Sequence, residues 1–177
     1  MIKVVNKTYF ISELPENNKY EIAFIGRSNV GKSSLLNAIL NHKISRVSKT
    51  PGCTRWLGYY QFKDISLIDL PGYGYAEMSK KRIGLIDTMI EKYLLSGRVN
   101  ELWVLIDSRR GIMEIDLEII NFARENNVEL KIISTKNDKK DVKIMEAYFY
   151  TSAKTKHGID KITAYMNEIN SNHSNHR

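Results

Sequence analysis

Gly26-Arg27-Ser28-Asn29-Val30-Gly31-Lys32-Ser33 follows the apolar run Tyr20 to Ile25 directly. It leads straight into Gly31 to Leu40, where Leu35/Ile39 and Leu36/Leu40 recur at helical spacing. The octapeptide fits G-x-x-x-x-G-K-[ST], and strand, loop, helix is the context that pattern requires. Small residues let backbone N–H groups turn inward around phosphate oxygens, and the helix N-terminus adds the positive end of its dipole. Lys32 is placed to reach terminal phosphates, and the Ser33 hydroxyl to ligate magnesium.

Apolar runs alternate with amphipathic stretches on either side of this loop. Trp56 to Phe62 and Ile65 to Leu70 read as strands joined by a Lys63-Asp64 turn. A helix is expected from about Ser79 to Leu95, ending at Gly97. Then follow strand Leu102 to Ile106, helix Glu114 to Glu125, strands Glu129 to Ser134 and Ala147 to Thr151, and a helix near Ile159 to Ile169. This order predicts an α/β fold: a mostly parallel sheet with helices on both faces and one antiparallel edge strand from the hairpin. Residues 171 to 177 read as a frayed, disordered tail on a single domain spanning residues 1–177.

Ligands of such sheets bind at the carboxyl ends of the strands, and the other motifs lie there. Asp69-Leu70-Pro71-Gly72 closes a strand; Asp69 can hold magnesium through water, and the Gly72 N–H can meet a γ-phosphate. Ser48-Lys49-Thr50-Pro51-Gly52-Cys53-Thr54-Arg55 is a polar loop; if it closes over a nucleotide, Thr54 is the first candidate for a second hydroxyl on magnesium and Thr50 the second. Thr135-Lys136-Asn137-Asp138 follows another strand, and the Asp138 carboxylate can accept from both N1–H and N2–H₂ of guanine, a donor pair adenine lacks. After the next strand, which ends at Thr151, Ser152-Ala153-Lys154 completes a purine pocket that Thr151 also borders, with the Ala153 N–H toward guanine O6. Among these residues, Lys32, Thr54 and Gly72 are expected to act in catalysis.

The composition bounds the setting. With 177 residues, the chain can bury roughly 70% of the surface it exposes when unfolded and needs no metal or disulfide staple. The longest apolar run, Leu102 to Ile106, is too short to cross a bilayer, and the sequence MIKVVNKTYF carries no secretory core. The single cysteine, Cys53, fits a reducing compartment. A net charge of +7 favours polyanionic partners. Arg27, Arg55, Lys80, Lys81, Arg82, Arg109 and Arg110, interleaved with Tyr59, Tyr60, Tyr73 and Tyr75, offer a surface to read RNA. The four histidines show no ligand spacing.

Taken together, GRSNVGKSSL (26–35), SKTPGCTR (48–55), DLPGYGYA (69–76) and TKND (135–138) resemble the bacterial EngB family of translation-factor-type P-loop GTPases, from about Val4 to Ile169. The resemblance implies a Ras-like fold, GTP and GDP binding, Mg²⁺ on Ser33 and Thr54, and slow hydrolysis. It implies a cytoplasmic, monomeric role without membrane contact in assembly of the large ribosomal subunit, with rRNA and ribosomal proteins as partners, and a downstream link to cell division and septation. The alternative is a switch acting on a division protein without ribosome contact. Asn29 matches the phosphate-loop asparagine through which relatives hold an activating K⁺.

Three features depart from the wider pattern. Thr135 replaces the usual asparagine, a variant typical of the EngB group. Tyr73 stands where Ras-like enzymes place the glutamine that orients attacking water, so weak intrinsic hydrolysis is expected. Only residues 139 to 151 separate the two base-site motifs, too few for a covering helix, and this predicts a less buttressed base pocket.

Overall fold

A computed structural model describes residues 2–16, 18–42, 56–74, 88–143 and 145–174. Its elements run β1 (Ile2–Thr8), a 3₁₀ turn (Ile11–Glu13), β2 (Tyr20–Gly26), α1 (Lys32–Leu40), β3 (Leu57–Phe62), β4 (Ile65–Asp69) and α2 (Thr88–Leu94). β5 (Glu101–Asp107), α3 (Glu114–Glu125), β6 (Glu129–Thr135), β7 (Phe149–Tyr150) and α4 (Ile159–Ser174) complete it. The strands form one sheet in the order β1-β3-β4-β2-β5-β6-β7.

Both faces of the central strands are apolar because both are covered. On β2, Ile22 and Phe24 pack with Leu35, Leu36 and Leu40 of α1 and Ile162 and Met166 of α4. The alternate residues Ala23 and Ile25 pack with Ile90 and Tyr93 of α2 and Ile119 and Ala123 of α3. Trp103 and Val104 on β5 divide in the same way. This period-two division over near-continuous apolar runs is what a doubly covered parallel sheet demands.

The hairpin is where the sequence places it, and β3 is the strand that runs against the rest. It is not the edge, however. β1 pairs antiparallel with β3 and takes the outer position. Its sequence IKVVNKT is broken by Lys3, Asn6 and Lys7, and its register slips between Val4 and Asn6, so no clean alternation announces a strand.

A second difference concerns the C-terminal helix, which continues to Ser174 through residues 171–174 of the expected tail. Tertiary contacts hold this polar end in helical form. Asn167 Oδ1 accepts from Lys63 Nζ at 2.6 Å, Asn170 Oδ1 accepts from the Asp64 amide at 2.9 Å, and the His173 ring lies 4.7 Å from that of Tyr20. Between β6 and β7 the described residues form turns and no helix, as the spacing predicts. Of the expected Ser79 to Leu95 helix, residues 79 to 87 lie outside the described residues.

At the end of the sheet opposite the loops, buried Glu101 ties four elements together. Its carboxylate accepts from the hydroxyls of Tyr20 (2.8 Å) and Tyr165 and from Trp103 Nε1 (2.7 Å), and it pairs with Lys131 Nζ at 3.1 Å. Burial pushes this carboxyl up, but the hydrogen bonds from Tyr165, Trp103 and Tyr20 outweigh burial and hold it ionised. Glu101→Leu removes the buried carboxylate that Lys131 faces and leaves the exposed Glu129 as its remaining acidic partner among the described residues. We expect a loss of about 3 kcal/mol in urea unfolding, the cost of breaking one side of a buried pair.

Candidate nucleotide site

The order β4-β2-β5 makes β2 the topological switch point, because the chain leaves it to build β4 on one side and β5 on the other. The loop after β2 therefore opens into the crevice between two diverging connections. Its geometry needs the residues it has. A side chain at Gly26 would put Cβ 2.8 Å from Val30 Cγ1 and 3.0 Å from the Leu105 carbonyl. Asn29 (φ 64°) and Gly31 (φ 106°) turn the backbone through the left-handed region just before α1.

Opposite this loop, Lys32 Nζ pairs with the Asp69 carboxylate, and both side chains are largely buried. Ser33, on the first turn of α1, follows Lys32 in the chain. Gly72 lies against the loop: a Cβ there would stand 3.4 Å from the Gly26 carbonyl and 3.5 Å from the Ser28 amide. Tyr73 continues the contact, its N–H donating to Gly26 O (3.3 Å) and its carbonyl accepting from Ser28 N (3.0 Å). Hydroxyl and carboxylate oxygens are hard donors suited to Mg²⁺.

The base loop is anchored to the phosphate loop. The Thr135 hydroxyl lies 2.8 Å from the Val30 carbonyl and 3.1 Å from that of Ile106, so the residue replacing asparagine still bonds one loop to the other. Lys136, at φ 59°, donates from Nζ to the Asn29 carbonyl (2.6 Å) and pairs with Asp107 (2.9 Å). Asn137 Nδ2 donates to the Ser134 and Thr151 carbonyls at 3.0 and 3.1 Å. Asp138 Oδ1 accepts from the Ser152 hydroxyl at 2.7 Å. That bond, with the Lys139 and Lys154 charges, holds the Asp138 carboxyl below its usual range and so ionised at neutral pH.

Hydrogen bonds tie down the chain around this short connection. The Lys143 amide reaches Ser108 O (2.8 Å) and the Ser152 amide reaches His157 O (3.0 Å). Gly158, at φ 71°, lets the returning chain pass so close to β7 that a Cβ would lie 2.2 Å from the Tyr150 carbonyl.

The structure thus brings together Gly26 to Ser33, Asp69 to Gly72, Thr135 to Asp138 and Thr151 to Ala153. Pro51, Gly52, Cys53, Thr54 and Arg55, with Tyr75, Lys80, Lys81 and Arg82, lie outside the described residues. Part of the expected RNA-reading surface is corrected. Tyr59 and Tyr60 are buried in the core, where a strand with both faces covered must place them. Arg109 makes a bidentate pair with Asp107 (2.9 and 2.6 Å) and stays exposed, as that expectation requires.

Asp107 itself was missed by sequence reasoning, although it ends a strand as Asp69 does. Burial pushes its carboxyl up, but Arg109 and Lys136 outweigh burial and hold it well below the carboxylate range.

A Ras-like sheet with a phosphate loop, a strand-ending Asp-x-x-Gly and a Lys-x-Asp base loop defines the class of P-loop GTPases. Residues 21–136 match the family described as "50S ribosome-binding GTPase". The chain is 43% identical over 164 residues to the "Probable GTP-binding protein EngB" of Mycoplasmopsis synoviae (strain 53), covering 83% of this chain and 88% of that protein. A crystal structure of a probable GTP-binding protein engB superposes with TM-score 0.60 at 24% identity, over 86% of this chain and 99% of that one. A point variant of Aquifex aeolicus Era bound to GDP·AlF₄⁻ gives 0.62 at 27% identity, over 82% and 55%. The chain belongs to the EngB family of GTP-binding proteins.

Because Asp107 holds Lys136, and Lys136 holds the phosphate loop, Asp107→Asn is expected to weaken GDP binding about tenfold, the loss of one charge-assisted hydrogen bond. Fluorescence titration with N-methylanthraniloyl-GDP measures it.

Proposed function

We propose that this protein is a GTP-driven switch in assembly of the large ribosomal subunit, acting as a monomer in the cytoplasm, with cell division depending on it downstream. The observation that carries this reading is the match of residues 21–136 to a family described as binding the 50S ribosome. The net charge of +7 agrees with an RNA-rich partner. Among the described residues no helix is long and apolar enough to cross a membrane.

GTP is the substrate. Asp138 selects guanine, the backbone from Gly26 to Gly31 cradles the phosphates, Lys32 neutralises their charge and the Gly72 amide meets the γ-phosphate. Ser33 and Thr54 would hold Mg²⁺, with Asp69 acting through water, and the ion would supply charge neutralisation for the phosphates. Tyr73 cannot orient attacking water as a glutamine amide does, so hydrolysis is slow until a ribosomal partner or K⁺ assists.

Two experiments test these points. In a sucrose gradient with ribosomal particles, the protein is expected to migrate with large subunits in a non-hydrolysable GTP analogue and to stay at the top in GDP. Remaining at the top in both, with nucleotide bound, would exclude the ribosomal role and favour a protein partner. Asn29 is exposed on the phosphate loop, so its side chain is accessible to a cation. Hydrolysis is expected to run faster in KCl than in NaCl, and equal rates would remove Asn29 as a K⁺ ligand.

A further inference from the structure

Tyr73 is fastened at three points. Its backbone makes the two hydrogen bonds to Gly26 and Ser28 already described. Its hydroxyl donates to Asp116 Oδ1 at 2.6 Å. Asp116 is itself buried and doubly committed: it is the third residue of α3, and its Oδ2 accepts from the Met113 amide at 2.8 Å, closing the helix N-terminus. Burial, with the Asp116 carboxylate beside it, pushes the Tyr73 hydroxyl well up and keeps the donor protonated. The phosphate loop joins the same cluster, with the Arg27 side chain packed across Gly74 and against Met113 Sδ.

We propose that Asp116 is a positioning residue for GTP: through the Tyr73 hydroxyl it fixes the Gly72 amide at the phosphate loop and couples that amide to the N-terminus of α3. The inference rests on the GTPase reading above. Gly72 is exposed and carries no side chain to restrain it, so among the described residues its amide is positioned by what anchors its neighbours. Pro71 before it is buried and limits φ; Tyr73 after it supplies the remaining anchors. A hydroxyl-to-carboxylate bond is short and charge-assisted, and it is the anchor that reaches outside the two loops. Since a terminal phosphate is what Gly72 meets, the latch bears on GTP far more than on GDP.

The test compares affinities for a non-hydrolysable GTP analogue and for GDP in the wild type, Y73F, D116N and the double variant, with unfolding temperatures measured alongside. Y73F, which leaves the α3 cap intact, is expected to lower the GTP-analogue-to-GDP preference about tenfold. D116N is expected to lower it similarly, and the double variant no further than either single one. A Y73F preference within twofold of wild type overturns the latch, as does a drop confined to D116N, which would assign the effect to the cap. A wild type that bound neither nucleotide would overturn the GTPase reading and the latch with it, a result distinct from a wild type that binds both while Y73F behaves like it.

Discussion

Lys136 is the constraint on which the rest of the site depends. Its ammonium bridges the Asn29 carbonyl of the phosphate loop and the Asp107 carboxylate at the end of β5, while its own backbone carries the base loop in a left-handed turn. Three strand ends are thereby made into one frame. A nucleotide needs such a frame because its base and phosphates are recognised by different loops, and misplacing either by an ångström loses orientation that no single contact restores. Thr135 adds a second tie between the same loops through Val30.

The two ends of the sheet use buried charge differently. At the amino ends of the strands, Glu21 and Glu101 are satisfied by fixed partners within the fold: Tyr93 and Arg98 for one, Tyr20, Trp103, Tyr165 and Lys131 for the other. Those pairs hold strands and helices in register. At the carboxyl ends, Asp69 meets Lys32 and Asp138 meets Ser152, groups that the proposed function assigns to a nucleotide and its metal. Rigidity at one end leaves the other free to exchange partners, as binding requires.

Most of this was legible in the sequence, for identifiable reasons. The phosphate loop, the strand-ending Asp69 and the base motif are local patterns whose chemistry depends on neighbours in the chain. The doubly apolar runs at Tyr20 to Ile25 and Leu102 to Ile106 announce a covered parallel sheet. What escaped depends on distance along the chain. β1 is a strand because β3 pairs with it, and its own alternation is too polar to say so. The end of α4 is helical because the Lys63-Asp64 turn binds it. Tyr59 and Tyr60 look like surface aromatics until the hairpin is placed inside the sheet, next to β1. Asp107 and Asp116 gain their roles from Lys136 and Tyr73, partners no local window contains.

The replacement of glutamine by Tyr73 then has a structural meaning beyond a missing amide. A side chain free to orient water must be mobile and face the phosphate. Tyr73 is half-buried, and its hydroxyl is turned to a carboxylate on α3, so this position has been given over to holding the loop. On the proposed function, a protein built this way would hold Gly72 in place for GTP yet bring no side-chain amide to the attacking water. Slow hydrolysis and a well-defined GTP-bound surface would, on the proposed function, follow from the same residue, which is the combination a switch needs when a partner, rather than its own chemistry, decides the moment of release.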